Sequence, residues 1–448
     1  MKFHFKIFQE SKNKYLIIHC LTILIITASI FIFNLFYFQI DEIAIIFSKS
    51  FFGVLFVNLI IITLIFRILF YSFLFFKYLN YKFILVKNDN LLPKCSIIIP
   101  AFNEGKFVYD TLLSISQSNY PLNKLEVIII DDGSTDNTYN WIEQAKNTID
   151  KLFDFKIIKF NKNKGKKEAL IEGFGLAIGE IFVTIDSDSV IEKDSLRNLV
   201  APFIFDEMCG VVAGNVKVYN IQNTIFPKML NVSFAFNFGF IRAAQSNMNS
   251  VLCSPGALSA YKASVVKLCL ESWQNQTFLG VKTKIGEDRA LTNLILELGY
   301  KSLFQKNAVV YTKVPTSYNT LKNMLIRWER GDIRENLNML KYVFKNFREY
   351  NLFHIRLLTL NQIISNFLAI PLFILMIIIC FYYPRLFISS SILSTFIISI
   401  GPALYYALNV NTKKSFLIFS YNIFYAFFLF WIIPYSILTL KKGNWLTR

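Results

Sequence analysis

The stretch Ile181-Phe-Val-Thr-Ile-Asp-Ser-Asp188 predicts a buried strand that ends in two carboxylates one residue apart. Like charges held this close cost free energy unless a cation or a proton relieves them. A divalent metal carrying a diphosphate would relieve them, because Mg²⁺ and Mn²⁺ bind carboxylate oxygens together with substrate phosphates. The alternative is an ordinary acidic turn at a strand end. The surrounding sequence decides between a metal site and a turn.

Further runs rich in β-branched and aromatic residues predict a sheet around this strand. The strand candidates are Cys95–Pro100, Leu125–Ile130, Phe155–Phe160, Ile181–Ile185 and Gly210–Val218. Apolar residues at helical spacing lie between strands, at Val108, Leu112 and Ile115 and again at Trp141, Ala145 and Ile149. Ser134 and Asp136 are candidate N-caps of the second helix. Alternating strands and helices predict an α/β domain with a mostly parallel sheet covered on both faces.

Polar residues follow four successive strands of this predicted sheet. They form the segments Pro100-Ala-Phe-Asn-Glu104, Asp131-Asp-Gly-Ser-Thr-Asp136, Asn163-Lys-Gly-Lys166 and Asp186-Ser-Asp188. In open α/β sheets, ligands bind beyond the carboxyl ends of the strands. Acidic groups can accept hydrogen bonds from a base edge or from ribose hydroxyls, and Lys166 can bind phosphate as a point charge. One crevice would collect all four segments, which favours a binding site over four unrelated turns.

The composition predicts a membrane protein. The 448 residues are 54% hydrophobic and include 47 Phe, yet the formal net charge is +17. Apolar runs close to the ~20 residues that cross a bilayer occur at Tyr15–Phe38, Phe51–Phe76, Leu357–Tyr382, Leu386–Val410 and Phe416–Leu440. The stretch between them is long enough for a full domain with ordinary globular composition. We therefore divide the chain into a transmembrane helix pair (1–80), a soluble domain (81–318), interfacial helices (319–352) and C-terminal transmembrane helices (353–448).

Basic residues orient these spans. The first run is too long for a signal peptide and lacks a small-residue cleavage site, so we interpret it as an anchor. Lysines flank the first two spans at Lys2, Lys6, Lys12, Lys14, Lys77, Lys82 and Lys87. By the positive-inside rule they place the soluble domain in the cytosol of a multi-pass cell-membrane protein. A cytosolic position for the basic C-terminus needs an even number of later crossings, whereas three apolar runs are present. Either one run is re-entrant or interfacial, or the C-terminus lies outside.

The excess positive charge suits anionic lipid headgroups of the bilayer and anionic substrates. We expect no nucleic-acid partner, and the oligomeric state is left open. The six cysteines show no C-x-x-C spacing, which argues against disulfides and thiolate zinc sites. The histidines, His4, His19 and His354, all lie outside the central stretch, so any general base there must be a carboxylate. No P-loop sequence occurs.

Several motifs, taken in chain order, resemble those of one enzyme family. They are Ser96-Ile-Ile-Ile-Pro-Ala-Phe-Asn-Glu104, Val127-Ile-Ile-Ile-Asp-Asp-Gly-Ser-Thr-Asp136, Ala235-Phe-Asn237, Arg242-Ala-Ala-Gln-Ser246, Cys253-Ser-Pro-Gly-Ala-Leu-Ser-Ala-Tyr261, Gly286-Glu-Asp-Arg-Ala-Leu-Thr-Asn293, Val314-Pro315, Arg327-Trp328 and Arg334-Glu335. The first two resemble the opening of family 2 glycosyltransferases. The others resemble hyaluronan synthases and their chitin-synthase and Nod-factor chitooligosaccharide-synthase relatives. The resemblance covers about residues 90 to 340, and the paired spans on either side match as well.

This resemblance implies a GT-A fold inserted between transmembrane α-helices, and an inverting transfer from a UDP-sugar donor. The implied nucleotide-binding residues are Pro100, Ala101, Asp131, Asp132, Lys166, Asp186 and Arg327. Asp186 and Asp188 would hold Mg²⁺ or Mn²⁺, which neutralises charge on the UDP leaving group. Asp288 would be the base that takes the proton from the acceptor hydroxyl, and the neighbouring Glu287 would raise its pKa. Outside this context, Glu287-Asp288-Arg289 is typical of a charged helix start.

On the acceptor side, the resemblance implies contacts with the growing polysaccharide from Cys253, Ser254, Gly256, Glu287 and Trp328. The Trp328 ring would be a platform for the terminal sugar, since pyranose faces stack on aromatic rings. The chain departs from the family pattern Gln-x-x-Arg-Trp at one position, because Met324 replaces the glutamine. A thioether cannot replace the hydrogen bonds of an amide. We therefore expect nucleotide gating or processivity to differ here.

Two further features concern the membrane. The mixture of basic and apolar residues around Arg327–Arg348 fits an amphipathic helix lying on the membrane surface. Arg67 lies inside the second apolar run. Buried intramembrane charges often mark a pathway, which makes Arg67 a candidate lining residue of a polymer channel. The alternative is that its side chain reaches the cytosolic interface.

Three functions remain open at this point. The first is a processive hyaluronan-synthase-like enzyme that uses UDP-N-acetylglucosamine and UDP-glucuronate and translocates its product. The second is a single-sugar synthase that makes chitin-like or poly-N-acetylglucosamine chains. The third is a non-catalytic polysaccharide-export scaffold, against which the presence of Asp186, Asp188, Asp288 and Arg327-Trp328 argues.

Overall fold

A computed structural model of the chain describes residues 27, 29, 31, 49–149 and 153–443. The first predicted span, Tyr15–Phe38, lies outside these residues apart from three positions. The last five residues of the basic C-terminus also lie outside them.

The strands of the described residues form one large mixed sheet and a small hairpin. In chain order they are β1 (Cys95–Ala101), β2 (Leu125–Asp131), β3 (Asp154–Lys159), β4 (Ile181–Thr184), β5 (Ser189–Ile191), β6 (Cys209–Val218), β7 (Ser259–Lys262), β8 (Thr277–Phe278), β9 (Val281–Lys282) and β10 (Lys301–Thr312). The large sheet has the order β3-β2-β1-β4-β7-β6-β10-β5, and β8 pairs with β9. The five predicted strands correspond to β1, β2, β3, β4 and β6.

One half of the large sheet is parallel, as the sequence predicts. β1 pairs in parallel with β2 and with β4, and β2 pairs in parallel with β3. Every residue of β1 and β2 is buried. Continuous runs such as Ile97-Ile-Ile99 suit strands covered on both faces, because no residue of such a strand faces water.

The other half of the sheet corrects the expectation of a mostly parallel arrangement. β7 lies antiparallel between β4 and β6, and β5 lies antiparallel to β10 at the edge. β10 pairs in parallel with β6. β7 is short and begins and ends with polar residues, Ser259 and Lys262, so it carries no apolar run that would mark it in the sequence.

Helices cover both faces of the sheet and extend beyond it. They are α1 (Phe51–Leu79), α2 (Phe107–Ser116), α3 (Thr138–Ile149), α4 (Lys166–Leu176), α5 (Ser195–Phe205), α6 (Ile225–Phe236), α7 (Ala243–Asn247), α8 (Ala263–Gln274), α9 (Glu287–Glu297), α10 (Tyr318–Met339), α11 (Leu352–Tyr382), α12 (Pro384–Asn409), α13 (Leu417–Phe424) and α14 (Ile432–Leu438). A π-helical turn, Asn237–Arg242, joins α6 to α7.

The predicted apolar faces of α2 and α3 are largely confirmed. Val108, Leu112 and Ile115 are fully buried in the main core. The capping prediction is half right. The Asp136 carboxylate accepts a hydrogen bond from the amide of Thr138, the first residue of α3, at 3.0 Å. The Ser134 hydroxyl instead accepts from the amide of Asn103 at 3.0 Å, so it holds the loop after β1.

Three helices of the described residues are long and apolar enough to cross a membrane: Gly53–Leu79 within α1, then α11 and α12. The last apolar run forms two segments, Lys413–Leu429 and Ile432–Leu438, bent by 45° at the break between them. Such a bend is typical of a broken span or of a re-entrant segment. Arg67 of α1 donates a hydrogen bond to the Ser365 hydroxyl of α11 at 2.9 Å, which links two of the candidate spans.

α10 overlaps the stretch around Arg327–Arg348 in which an amphipathic helix is expected, and it lies almost entirely within the predicted interfacial region 319–352. It begins at Tyr318, where the Ser317 hydroxyl caps it, and it ends at Met339. Half of its residues are buried, because its polar groups bond to neighbouring elements on two sides. Arg334 donates to the Ile285 carbonyl at 3.1 Å, and Arg330 donates to the Thr439 hydroxyl at 2.8 Å. α10 therefore joins the soluble domain to α14.

Candidate active site

The carboxyl ends of β1 and β4 open into a small crevice that collects six of the predicted site residues. They are Pro100, Lys166, Asp186, Gly256, Glu287 and Asp288. Apolar and aromatic side chains close the crevice around them: Leu170, Phe174, Tyr261, Trp273 and Leu291. These apolar side chains exclude much of the water from the crevice. The ionisable groups in it therefore interact strongly with one another, because little water screens their charges.

Lys166, the first residue of α4, is the central cation of this crevice. Its Nζ lies 2.5 Å from Asp186 Oδ1 and 3.3 Å from Glu287 Oε1. Burial lowers the pKa of Lys166, but Asp186, Glu287 and Asp288 together raise it above its ordinary value. The lysine is therefore charged at physiological pH and balances several acidic groups at once.

Asp288 lies in the first turn of α9 and is held by two backbone amides. Its Oδ1 accepts from the Arg289 amide at 2.7 Å, and its Oδ2 accepts from the Gly256 amide at 3.3 Å. Burial raises the pKa of Asp288 to about 6, and Glu287 adds to the rise. A carboxylate with this pKa is mostly deprotonated at neutral pH and is still basic enough to accept a proton in a reaction.

Gly256 has no room for a side chain. A Cβ placed on it would lie 2.4 Å from Lys166 Nζ and 3.4 Å from each carboxylate oxygen of Asp186. The backbone of the 253–258 loop therefore passes directly over the Lys166–Asp186 pair. This close approach requires glycine, because any larger residue would displace the lysine.

The two acidic residues at the end of β2 have different surroundings. Both oxygens of Asp132 accept backbone amides, from Lys164 at 2.7 Å and from Gly165 at 2.8 Å, and burial raises its pKa. Asp131 is fully buried, and its Oδ1 accepts the Ser134 amide at 3.0 Å. Its Oδ2 has no hydrogen-bond partner among the described residues. Asp132 therefore shapes the loop before α4, whereas Asp131 keeps one buried carboxylate oxygen without a hydrogen-bond partner among the described residues.

Asp186 and Asp188 supply oxygen ligands of the kind that Mg²⁺ and Mn²⁺ prefer. Asp188 Oδ1 accepts a hydrogen bond from the Thr312 hydroxyl at 3.2 Å. Within the described ranges, no three His, Cys, Asp or Glu side chains surround one point. Two carboxylates nevertheless fit a hard cation that takes its other ligands from substrate phosphates and water.

The predicted acceptor residues separate into buried and exposed groups. The Ser254 hydroxyl is fully buried between Thr292 Oγ1 at 2.6 Å and the Tyr261 hydroxyl at 3.0 Å. The Cys253 carbonyl accepts from Arg242 Nε at 3.2 Å. Trp328 is 42% exposed, and its ring centroid lies 6.2 Å from that of Phe234. Ser254 therefore supports the loop from behind, whereas Trp328 presents an open aromatic face.

The remaining predicted residues lie beside the crevice rather than in its lining. Ala101 is buried, and its carbonyl accepts the Asp132 amide at 2.8 Å. Arg327 lies on α10, directly before Trp328. Met324, which stands where the family pattern has glutamine, is buried in the main core. The assigned roles of all these residues in ligand binding stay predictions.

Sequence reasoning missed two residues that support the site. Trp273 is fully buried, and its Nε1 donates to the Glu287 carbonyl at 3.1 Å, which fixes the start of α9. Lys167 is also buried, its Nζ lies 5.4 Å from the Trp273 ring centroid, and burial lowers its pKa to about 8. No local pattern marks Trp273, whereas Lys167 could have been questioned as the neighbour of a predicted ligand.

Comparison with known proteins identifies the family. Residues 96–269 match the profile of Glycosyl transferase family 2. The hyaluronan synthase of Streptococcus pyogenes is 30% identical over 366 residues, which cover 79% of this chain and 83% of that protein. This chain is a family 2 glycosyltransferase. An N-acetylglucosaminyltransferase of Azorhizobium caulinodans is also 30% identical over 266 residues, which cover 59% of this chain and 66% of that protein.

A solved structure supports the fold of this glycosyltransferase. The mannosyltransferase of Pyrobaculum calidifontis, determined with GDP-Man and Mn²⁺, gives a TM-score of 0.58 at 20% identity. The match covers 86% of this chain and all of the mannosyltransferase chain. The predicted GT-A-like α/β fold is thereby confirmed, with the addition that its sheet is mixed.

Proposed function

We propose that this glycosyltransferase polymerises UDP-sugars, with UDP-N-acetylglucosamine among its donors, and moves the polysaccharide across the cell membrane. The crevice that brings Lys166, Asp186 and Asp288 together supports the reaction. The candidate spans on either side of the soluble domain support export. The lysine flanks of the first two spans favour a cytosolic position for the catalytic domain.

Asp288 is the proposed base of the transfer step. An acceptor hydroxyl oxygen attacks C1 of the donor sugar while the bond from C1 to the diphosphate oxygen breaks. The hydroxyl proton moves to Asp288, the bonding electrons leave with UDP, and the configuration at C1 inverts. The amides of Gly256 and Arg289 hold the carboxylate in place, so little reorganisation is needed when it accepts the proton.

The residues around Asp288 are proposed to hold the nucleotide. The unpartnered Oδ2 of Asp131 can accept a hydrogen bond from uridine, and the charged Lys166 side chain can bind a diphosphate. Asp186 and Asp188 would hold Mg²⁺ or Mn²⁺, which when bound neutralises negative charge on the leaving diphosphate. Arg327 is the proposed second cation for that diphosphate, because its guanidinium presents a fork of donors.

Two products fit the named relatives. The Streptococcus pyogenes relative favours a hyaluronan-type polymer that alternates N-acetylglucosamine with glucuronate. The Azorhizobium relative favours a chain of N-acetylglucosamine alone. In either case Trp328 would carry the terminal sugar of the growing chain. The Arg67–Ser365 hydrogen bond joins two candidate spans, and Arg67 stays a candidate lining residue of the exit path.

The decisive experiment replaces the base. Asp288→Asn should lower UDP release from UDP-N-acetylglucosamine by at least about a hundredfold, since a general base contributes about 10²–10⁴. UDP binding, measured by calorimetry on purified full-length protein, should stay within about twofold because Asn keeps the shape of the site. Asp110→Asn, on the half-buried first turn of α2, is a matched control that should behave like wild type. Unimpaired turnover in Asp288→Asn would refute the base assignment.

A further inference from the structure

α10 lies directly against the start of the helix that carries the proposed base. A Cβ on Gly286 would lie 2.9 Å from the Gly331 Cα, and a Cβ on Gly331 would lie 3.2 Å from the Gly286 Cα. This backbone-to-backbone contact places Gly331 of α10 against the residue that precedes Glu287 and Asp288, and the neighbouring Asp332 is close enough to raise the pKa of Asp288. The segment 328–332 therefore links the proposed sugar platform, Trp328, to the start of the helix that carries the proposed base.

Two carboxyl groups of this segment flank the proposed sugar platform. Glu329 follows Trp328 directly, and Asp332 lies four residues after Trp328, on the same side of the helix. Both side chains are half-buried. Within the part of the chain that the structure describes, neither carboxyl group makes a hydrogen bond or an ion pair. Buried carboxyl groups are normally paired, so these two are available to a ligand.

The neighbouring arginines are already engaged with other groups. Their partners are the Thr439 hydroxyl for Arg330, the Ile285 carbonyl for Arg334, the Asn336 side chain for Arg289, and the Cys253 carbonyl and Phe238 ring for Arg242. Arg327 is assigned above to the diphosphate. None of the four engaged arginines forms an ion pair with Glu329 or Asp332 within the described residues.

The pKa values of the carboxyl groups in this region show that negative charge is unfavourable here. Burial raises the pKa of Glu329 to about 8, with a further rise from Asp332. Burial also raises the pKa of Asp332, although Arg289 and Arg242 act against it. Asp332 in turn contributes to the raised pKa of Asp288. Every resolved shift of a carboxyl group in this region is upward, so the region disfavours an added anion.

We propose that the Asp332 carboxyl group, with Glu329 as a weaker contributor at neutral pH, excludes anionic sugars from the acceptor side beside Trp328, so that the chain elongated here consists of uncharged hexosamine units. This inference rests on the proposed function and chooses between its two products. A uronate carboxyl group has an ordinary pKa near that of a simple carboxylic acid, about 3–4, and it stays ionised at neutral pH. An N-acetylhexosamine is uncharged, and its hydroxyl and amide groups can donate hydrogen bonds to both carboxyl groups.

The first test compares donors on the purified full-length wild-type protein in detergent or nanodiscs. UDP-N-acetylglucosamine alone should sustain UDP release and give a long polymer. Addition of radiolabelled UDP-glucuronate should change the rate by less than about twofold and leave no label in the polymer. A strict requirement for both donors would overturn the inference while leaving the proposed function intact. Absence of UDP release from every donor would instead refute the proposed function.

The second test measures acceptor discrimination. Length-matched oligosaccharides, one of N-acetylglucosamine and one ending in glucuronate, compete for elongation by the wild-type protein. We expect the neutral oligosaccharide to be at least about tenfold more effective, and the ratio to fall to about threefold or less in Glu329→Gln/Asp332→Asn. A ratio is insensitive to partial loss of folded protein. At pH 7 Asp332→Asn should cause most of the fall, whereas Glu329→Gln should change the ratio less, because Glu329 is mostly protonated below its pKa of about 8. An unchanged ratio in the double variant, or no preference in the wild type, would overturn the proposal.

Discussion

Replacement of Lys166 by methionine removes the positive charge that balances the acidic residues of the crevice. The lysine Nζ lies 2.5 Å from Asp186 Oδ1 and 3.3 Å from Glu287 Oε1. Methionine keeps most of the length of the apolar stem but carries no charge. The variant therefore tests electrostatic balance with little change in packing.

The size of the effect follows from these distances. Two unit charges 3.3 Å apart, at an effective dielectric constant of about 20, attract by about 5 kcal/mol before desolvation is counted. Removal of one partner from a buried pair costs about 3–5 kcal/mol. The Lys166–Glu287 pair is nearly buried, because the Glu287 side chain is only 7% exposed. The Asp186 side chain is more exposed to solvent. We therefore expect Lys166→Met to lower the free energy of unfolding by about 3 kcal/mol at pH 8, near the lower limit of that range.

The structure also predicts how the destabilisation caused by Lys166→Met changes with pH. Lys166 lowers the pKa of Asp288, which burial and Glu287 raise to about 6. Without the lysine this pKa rises further, because one of the groups that lower it is lost. Protonation of an acidic group compensates for the lost charge at low pH. The destabilisation should therefore be larger at pH 8 than at pH 6.

The assay is the initial rate of UDP release between pH 5 and 9, together with the midpoint of thermal unfolding. The wild-type rate should rise with pH through about 6, because the base must lose its proton. In Lys166→Met the remaining rate should rise at a higher pH than in the wild type. Lys162→Met, on the exposed loop before α4, should keep the wild-type profile. An unshifted profile in Lys166→Met would refute the electrostatic role assigned to the lysine.

Three further substitutions test separate parts of the structure. Gly286→Ala should cost about 1–3 kcal/mol in unfolding free energy through its positive φ, and more through the clash with Gly331. Gly280→Ala has a similar φ but open space around its Cβ, so an equal loss in both variants would contradict the contact. Glu329 has a folded-state pKa of about 8, so the wild-type protein should lose thermal stability as pH rises from about 4.5 to 8. Glu329→Gln should flatten this decline, and parallel melting curves across that pH range would count against a buried Glu329. Asp131→Asn should weaken UDP binding about tenfold, through a lost charge-assisted hydrogen bond, and calorimetry showing wild-type affinity would exclude Asp131 from the nucleotide site.

The parallel half of the sheet was predictable because its strands carry their own signal. Ile97–Ile99 and Val127–Ile130 are continuous apolar runs of β-branched residues, and such runs form buried parallel strands. Topology alone predicted that the polar segments after the strands share one crevice, and Pro100, Lys166 and Asp186 from three of the four segments line it. Asp186 and Lys166 do meet there, although they are separated by β4 and α4 in the chain.

The rest of the site depends on contacts between distant parts of the chain. Gly256 lies over Lys166, and Gly331 lies against Gly286, because tertiary packing brings separate loops and helices together. No local periodicity encodes such approaches. Arg330 and Arg334 of α10 likewise look like part of a basic surface in the sequence until their partners Thr439 and Ile285 are known.

The contact between Gly286 and Gly331 also has a mechanical consequence. Because backbone meets backbone there, no side-chain rotamer can absorb a displacement of α10. The same helix is tied through Arg330 to Thr439, just after α14. A tilt of α14, for example in a bilayer of different thickness, would therefore displace α10 and with it the start of the helix that carries Asp288. We expect turnover to vary with the acyl-chain length of the surrounding lipid. The rate of UDP release, measured in vesicles whose bilayers increase in thickness, tests this expectation.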